Sequence, residues 1–316
     1  LSKIYYNKKR KLQPNECYLQ LGDAIFAELT GVRMTHFSSQ VSIAHNTKQE
    51  YSKAALKILG CTETAFPPIN NKALVPVDKE VALKTGLPAD TLAAPALSDF
   101  YASFIGVNPN KKQGFILANT SEIAGKVLLS ADRVKNFVTV KSNNHTIVYG
   151  STNTGGNVLN WLIRNVLNKE INTDTFNALN SESEHIPADE SPIFIPFIDG
   201  ERSPLWDNEL TGTFFGLTSR HTTAHLYRSV LEGIAFCRRY QFENMPGSIP
   251  PEIIICGGNA RNDLFNRIRA SVLNRRLLQS PESELAITGT ICHVALLNGE
   301  KEEKIEEEKD KKSPKK

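Results

Sequence analysis

The fold is best indicated by residues 212–236, GTFFGLTSRHTTAHLYRSVLEGIAF. In this stretch a short aromatic strand, with glycines on both sides of Phe214 and Phe215, runs into a polar turn and then into a long amphipathic helix. Glycine weakens the interior of a strand and often marks a close approach of other parts of the chain. The stretch therefore indicates something more specific than ordinary core packing.

The composition is that of an ordinary globular protein. The chain has 316 residues, of which 40% are hydrophobic and 22% charged, and its formal net charge is +3. This length suits two domains or one large one. The nearly balanced charge gives no sign of nucleic-acid binding. No apolar run approaches the roughly 20 residues of a membrane helix, so neither a nucleic acid nor a membrane is expected as a partner.

The cysteines and the N-terminus indicate the compartment. The five cysteines are far apart and form no CxxC pair, so neither a zinc site nor a disulfide framework is predicted. Reduced thiols are typical of a cytoplasmic protein, which is the predicted location. The N-terminus, LSKIYYNKKRKLQPNE, is basic and has no apolar stretch after it, so no signal peptide is predicted. Because the sequence starts without methionine and partway through a pattern of residues, we expect that the front of a larger protein is missing.

The order of predicted elements indicates an α/β protein. Helices are predicted at 17–30, 50–59 and 79–86, because apolar residues recur at helical spacing and a glycine marks each end. Short β-rich runs follow from about residue 114, separated by polar turns. They are GFILANTS (114–121), KVLLS (126–130), FVTVK (137–141), HTIVYG (145–150), SPIFIPFIDG (191–200) and EIIIC (252–256). Helices interleaved with the later strands predict an α/β layered domain.

Two further segments are predicted from their residue patterns. Residues 155–168, GGNVLNWLIRNVLN, should form a helix in which Val158, Leu159, Leu162, Ile163 and Val166 share one face. The end of the chain, 299–316, consists almost entirely of lysines and acids. Such a segment cannot bury a core, so it is predicted to be a disordered charged tail.

Three polar turns at strand ends are candidates for phosphate binding. They are Asn119-Thr120-Ser121, Gly155-Gly156 and Gly257-Gly258. Glycine lets a ligand approach the backbone, and α/β proteins place ligands at the ends of parallel strands. Tight turns also use glycine for steric reasons, and Thr and Ser hydroxyls commonly cap turns. The residues alone leave both interpretations open.

Charged and imidazole side chains offer further candidates. Asp99 lies in the first turn of an apolar helix, where it could be a general base. From the residues alone, a favourable helix-terminus charge or a Ser98/Asp99 cap is preferred. His221 and His225 lie four residues apart without a third metal ligand, so capping is preferred there too. The Glu201-Arg202 loop could be a salt-bridged turn or a substrate loop, and composition does not decide.

The opening stretch resembles the C-terminal signature of the FGGY family of carbohydrate kinases, with no mismatch. The matching positions are Gly212, Phe214, Gly216, Leu217, His225, Leu226, Ser229, Val230, Leu231 and Glu232. Residues 195–207, IPFIDGERSPLWD, and 253–273, IIICGGNARNDLFNRIRASVL, also resemble family segments, in the family's order. The resemblance covers roughly residues 15 to 298.

The resemblance implies a fold and a domain organisation. The fold would be α/β, actin-like and ribonuclease-H-like, with two domains around a cleft. Residues 1–110 would be the end of the sugar-side domain, 111–298 the ATP-binding domain and 299–316 the charged tail. Residues 212–236 would be framework. Their helix should pack inward at i, i+4 spacing and carry an Arg228–Glu232 pair. The inward residues would be Leu226, Val230, Leu231, Ile234 and Cys237.

The resemblance also implies site residues and cofactors. Asp99 aligns with the family's catalytic base, and Gly106 follows it at the family's spacing. The ATP-binding residues implied by matching positions are Asn119, Thr120, Ser121, Gly156, Asn160, Gly257, Gly258 and Asn262. ATP and Mg²⁺ are the implied cofactors, and no metal-binding side chain is assigned.

The implied function is phosphoryl transfer from MgATP to a hydroxyl of a sugar or polyol, with a ketopentose such as ribulose or xylulose as the expected substrate. A homodimer is one assembly that the resemblance allows. Several family residues are replaced: Asn119 stands where the family has glycine, and Ala96-Leu97-Ser98 replaces the glycines before the base. The family's N-terminal Asp-Gly-Thr hairpin is absent. Little turnover is therefore expected from this chain alone, and a degenerate member that binds nucleotide as a scaffold or regulator is the alternative.

Overall fold

The computed structural model describes residues 17–300, apart from 111, 132, 143–144 and 281–283. The chain forms two compact units. Unit 1 joins Leu1–Asn108 to Glu284–Lys316, and unit 2 is Pro109–Ser283. In the described part of the chain, no helix is both long enough and apolar enough to cross a membrane.

Unit 2 is built on a six-stranded sheet. Its strands are β5 (Gln113–Ala118), β6 (Glu122–Leu128), β7 (Val138–Ser142), β8 (His145–Ser151), β11 (Glu252–Cys256) and β12 (Arg276–Gln279). They lie in the order β12-β11-β5-β6-β8-β7. The first three are parallel, whereas β6, β8 and β7 each run antiparallel to the strand before them in this order. The β-rich runs predicted between residues 114 and 150 therefore lie in one sheet, but they do not form a simple meander, because β8 lies between β6 and β7. Strand β11 extends the sheet at the side of β5.

Helices bury the apolar residues that the sequence singled out in unit 2. They are α5 (Gly156–Trp161), α6 (Thr173–Ser183), α7 (Thr223–Glu243) and α8 (Asp263–Leu273). All five predicted inward residues of α7 are buried or packed against the buried cluster. Val166 is an exception to the predicted face and is exposed. The reason is that α5 continues as a π-helical turn, Leu162–Val166, whose wider period rotates the following side chains away from the 3.6-residue face.

The opening stretch forms β10 (Thr213–Phe215), which pairs antiparallel with β9 (Ile193–Ile195). The ring of Phe214 lies 4.3 Å from that of Phe194, in the core between the strand pair and α7. A Cβ on Gly212 would lie 2.5 Å from Cγ2 of Ile198, so this glycine permits a close approach. Gly216 has φ +84°, which glycine adopts most easily. The two glycines thus serve packing and a turn.

The described residues of unit 1, 17–108 and 284–300, are mainly helical. Its helices are α1 (Leu21–Thr30), α2 (Lys53–Leu59), α3 (Lys79–Thr85), α4 (Asp99–Val107) and α9 (Leu285–Leu297). Two short strand pairs join them: β1 (Ala44–His45) with β2 (Glu50–Tyr51), and β3 (Val75–Pro76) with β4 (Leu92–Ala93). The first three helices end at Gly31, Gly60 and Gly86, each with a left-handed backbone, as the sequence predicted.

Helix α9 belongs to unit 1, in contrast to the sequence-based boundary at residue 298. It packs closely on α4, because a Cβ on Gly289 would overlap the carbonyl oxygen of Ala102, and one on Gly106 would overlap that of Leu285. Glycine at both contacts lets the two backbones touch. The predicted charged tail lies, from Lys301 onward, outside the described residues.

Candidate functional site

The three polar turns predicted in unit 2 meet at Asn119. The backbone N–H of Gly156 donates to the carbonyl oxygen of Asn119 over 3.0 Å, and the N–H of Asn157 donates to that of Thr120 over 2.9 Å. From the third turn, Nδ2 of Asn259 also donates to the Asn119 carbonyl, over 2.9 Å. The ends of β5, β8 and β11 are thus connected by direct hydrogen bonds at one edge of the sheet.

Glycine is required where these turns touch. Gly257 has φ +99°, and a Cβ there would lie 2.5 Å from Oδ1 of Asn119 and 2.8 Å from the carbonyl oxygen of Ala118. A Cβ on Gly156 would lie 2.5 Å from Nδ2 of Asn259. Gly258 has open space around it, and its N–H lies 3.3 Å from Oδ1 of Asn119. The glycines therefore hold the turns together as well as keeping the site open.

The turn at 119–121 is exposed to solvent, as is Gly258. This turn carries the hydroxyl groups of Thr120 and Ser121. Hydroxyls and backbone N–H groups at glycine-rich turns are the donors that bind phosphate oxygens in many proteins. This edge of the sheet can therefore accept a polyanion, with no side chain larger than asparagine in the three turns.

Of the two remaining predicted ATP residues, one lies on a helix and the other caps one. Asn160 is half-buried on α5. Asn262 caps α8, because its Oδ1 accepts the N–H of Phe265 over 3.0 Å. Its Nδ2 donates to Oδ1 of Asn180 over 3.1 Å and lies 3.3 Å from the hydroxyl oxygen of Tyr227. The amide of Asn262 is therefore used within the protein, and its contact with nucleotide stays a prediction.

Asp99 is the first residue of α4 in unit 1 and is exposed. Its Oδ1 accepts the N–H of Phe100 over 2.6 Å. The predicted cap is confirmed: Oγ of Ser98 accepts the N–H of Tyr101 over 3.2 Å. The carboxylate thus has a defined direction and an open face, which a general base requires.

The loop before Asp99 rests on the turn at Phe37–Gln40. Oγ of Ser38 accepts the N–H of Ser98 over 3.0 Å and lies 2.8 Å from Nδ1 of His36. Oγ of Ser39 donates to the carbonyl oxygen of Ala96 over 2.6 Å. His36 is buried, and burial lowers its pKa to about 3, with the charge of His293 as a smaller cause. A neutral imidazole therefore stands behind the cap of α4.

The charged loop at Glu201 is a buried turn. One carboxylate oxygen of Glu201 accepts the hydroxyl of Thr152 over 2.6 Å, and the other accepts the N–H of Asn153 over 2.9 Å. Arg202 donates to the carbonyl oxygen of Thr152 over 2.9 Å. Both charges therefore hold the segment that leads into Gly155.

The predicted capping roles of the two histidines are confirmed. Nδ1 of His225 accepts the N–H of Thr222 over 3.2 Å at the start of α7, and Nδ1 of His221 accepts the N–H of Thr218 over 2.9 Å. Across the described ranges, no group of three or more His, Cys, Asp or Glu side chains is placed to hold a metal ion.

The sequence did not single out three residues of this region. Asn259 links two of the turns, and Glu122 and Arg269 form an ion pair buried beside them. The only signal for Asn259 was its place directly after the glycine pair. Nothing near Glu122 in the sequence points to Arg269, because 147 positions separate them.

The fold is that of the actin-like ATPases, as in solved sugar kinases. The gluconate kinase from Lactobacillus acidophilus superposes with a TM-score of 0.84 at 23% identity, covering 96% of this chain and 64% of that one. The xylulose kinase from the same organism gives 0.80 at 23% identity, covering 90% and 60%.

The family profile identifies the class. The C-terminal domain of the FGGY family of carbohydrate kinases matches residues 115–296, more than half of the sequence. The chain belongs to this family.

Among curated relatives, the gluconokinase of Bacillus subtilis (strain 168) is 27% identical over 312 residues, covering 90% of this chain and 59% of its own. The xylulose kinase of Lactococcus lactis subsp. lactis (strain IL1403) is 26% identical over 273 residues, covering 83% and 51%. The chain therefore spans a little over half of the length of these relatives.

Proposed function

We propose that this chain is part of an ATP-dependent kinase that phosphorylates a hydroxyl group of a sugar or polyol. The observation that carries the proposal is the meeting of the three polar turns at Asn119, two of which contain a glycine pair, in a chain of the FGGY family. Such an exposed edge suits the phosphates of ATP. A ketopentose such as ribulose or xylulose is the proposed substrate, and gluconate is the competing candidate, because the similar kinases above are named for xylulose and gluconate.

In the proposed reaction the carboxylate of Asp99 accepts the proton of the substrate hydroxyl. The hydroxyl oxygen then forms a bond to the γ-phosphorus of ATP while the bond to the β,γ-bridging oxygen breaks, and ADP leaves. The turn at 119–121 and Gly258 hold phosphate oxygens and orient the transferred group. Asp99 suits the base role because it is exposed and fixed by its own helix end.

The residues present also agree with a metal ion bound through phosphates. Mg²⁺ keeps several waters and usually takes one or two carboxylates plus phosphate oxygens. The carboxylate directly after the turn, Glu122, is buried and already paired with Arg269. Thr120 and Ser121, which are exposed, would offer hydroxyl oxygens to such an ion at this turn. When bound, Mg²⁺ would supply charge neutralisation for the phosphoryl group.

The test is Asp99→Asn, because it removes the base and keeps the size of the side chain. We expect sugar-dependent ADP release to fall by about 10²- to 10⁴-fold, with the affinity for ATP nearly unchanged. The assay adds ribulose, xylulose, gluconate, glycerol or sedoheptulose separately to MgATP. It uses this chain and, in parallel, a form that includes any upstream sequence encoded with it.

The matched control is Asp90→Asn, an exposed aspartate in the same unit, which should retain full turnover. A normal rate in Asp99→Asn would refute the assignment of the base. ADP release that ignores added sugar would identify an ATPase instead. ATP binding without turnover in both forms would favour the scaffold or regulator alternative, which the similarity to named kinases does not favour.

A further inference from the structure

Four charged side chains are buried beside the three turns of unit 2. They are Glu122, Glu201, Arg238 and Arg269, and each is at most 1% exposed. Two are negative and two positive, so the group is neutral as a whole. Burying a charged group is strongly unfavourable before the group is paired. Both arginines form ion pairs with Glu122, and Glu201 accepts hydrogen bonds from Thr152 and Asn153. Four buried charges are a costly way to fill space, which suggests that their geometry serves a purpose.

Glu122 and Arg269 connect two of the turns. Glu122 directly follows Ser121, and one of its carboxylate oxygens forms an ion pair with the guanidinium of Arg269. Nη1 of Arg269 lies 3.4 Å from the carbonyl oxygen of Asn259, whose side chain donates to Asn119. The guanidinium carbon of Arg269 lies 3.4 Å from the centre of the Phe265 ring, so α8 fixes its position.

Arg238 and Glu201 extend the group to the turn before Gly155. Nε of Arg238 lies 3.6 Å from the second oxygen of Glu122. Glu201 holds Thr152 and Asn153, and the N–H of Thr152 donates to the carbonyl oxygen of Glu122 over 3.0 Å. A Cβ on Gly155 would lie 2.9 Å from Cγ of Glu122. All three turns therefore contact the same buried group.

We propose that Glu122 and Arg269 are positioning residues that fix the spacing of the three turns for the phosphates of ATP. The inference rests on the proposed function, because it takes the three turns to bind the phosphates of ATP. Neither Glu122 nor Arg269 touches the ligand, so both act through the turns. Each partner of the ion pair is attached to a different turn, so loosening the pair separates the 119–121 turn from Asn259. The backbone of either turn would then sit too far from a phosphate held by the other.

The test measures the affinity for ATP relative to adenosine. Adenosine lacks phosphates, so a defect in turn spacing lowers the affinity for ATP and leaves the affinity for adenosine unchanged. General destabilisation of the protein lowers both affinities. The variant is Glu122→Gln/Arg269→Met, which removes one charge of each sign and leaves Glu201 and Arg238 balanced. We expect the preference for MgATP over adenosine to fall by about 10- to 100-fold, with adenosine affinity within about twofold of the original.

The matched control is Glu184→Gln/Arg267→Met. This pair also joins α8 to a neighbouring segment, with 2.5 Å between Nη2 of Arg267 and Oε1 of Glu184, but it is exposed. It should leave the preference for ATP unchanged. Titration calorimetry on the 316-residue chain gives both affinities, and thermal unfolding of each variant confirms that it is folded.

The possible results separate the two proposals. If the original chain prefers ATP over adenosine and the buried double variant keeps that preference, the positioning role is wrong and the proposed function stands. If neither the original chain nor a form that includes any upstream sequence binds ATP, the proposed function fails and the positioning role fails with it. Should the double variant not fold, Arg269→Lys serves instead. This change keeps the positive charge but removes the contact between Nη1 of Arg269 and the carbonyl oxygen of Asn259. That variant should show a smaller decrease in the same direction, and an unchanged preference would again overturn the role.

Discussion

Gly257 and Gly258 are adjacent, but the structure requires glycine only at position 257. Gly257 has φ +99° and contacts Asn119 and Ala118, whereas Gly258 has open space. We expect Gly257→Ala to lower the free energy of unfolding by about 1–3 kcal/mol. Gly258→Ala should change it by less than about 0.5 kcal/mol. The measurement is urea unfolding followed by tryptophan fluorescence, because both tryptophans, Trp161 and Trp206, lie in unit 2. Equal effects of the two changes would contradict this.

His36 gives a prediction about pH. Its pKa is lowered to about 3 by burial and by His293, and Tyr101 and Phe37 are its other ring neighbours. The ordinary pKa of histidine is about 6.5. Between these values the unfolded chain binds the proton and the folded chain does not. Stability from neutral His36 is therefore fully present above pH 6.5 and is lost as the pH falls toward 3.

The corresponding experiment compares slopes, because carboxylates titrate in the same range. His36→Asn retains an acceptor for the N–H of Ser38 but does not titrate. We expect the fall in unfolding free energy between pH 6.5 and 4 to be shallower in this variant, by up to about 1 kcal/mol per pH unit. His185→Asn, at an exposed position, is the control and should keep the original slope. If the unfolding free energy of His36→Asn falls with pH as steeply as that of the original chain, His36 does not cause the loss of stability at low pH.

At the scale of elements, the contact between α4 and α9 depends on two glycines, Gly106 and Gly289, of which Gly289 has the tighter contact. A Cβ on Gly289 would overlap the backbone of Ala102, and backbone cannot move aside as a side chain can. We expect Gly289→Ala to destabilise unit 1 by about 1–3 kcal/mol. Thr290→Ala, on the exposed face of the same helix, should change stability by less than about 0.5 kcal/mol. Far-UV circular dichroism in urea measures both, and a tolerated Gly289→Ala would mean that the helices are farther apart.

Local signals predicted most of the elements. Helices α1, α2 and α3 end at glycines with a left-handed backbone, as predicted from the sequence. The first four predicted β-rich runs correspond to β5, β6, β7 and β8. The π-helical turn after α5 had no such signal, because its period is set by packing rather than by its own residues. The place of α9 was also missed, since its partner α4 is distant in sequence.

At the scale of the whole molecule, the candidate site was partly predictable. The three turns could be predicted to meet, because β5 and β11 are parallel neighbours and such strands end at the same edge of a sheet. The ion pair of Glu122 and Arg269 could not, since no local pattern relates two residues from different elements. Asp99 could be placed at its helix end from Ser98 alone, whereas its support by Ser38 required the folded structure.

Helix α9 also has a consequence for the order of synthesis. Its partner α4 leaves the ribosome before residues 109–283, and α9 emerges only after them. At about 5–20 residues per second, translation of that interval takes on the order of ten to forty seconds. During this time the surface of α4 that receives Gly289 has no partner from α9. A nascent chain stalled before residue 284 should therefore be bound by chaperones that recognise exposed apolar surface, and released once α9 is made.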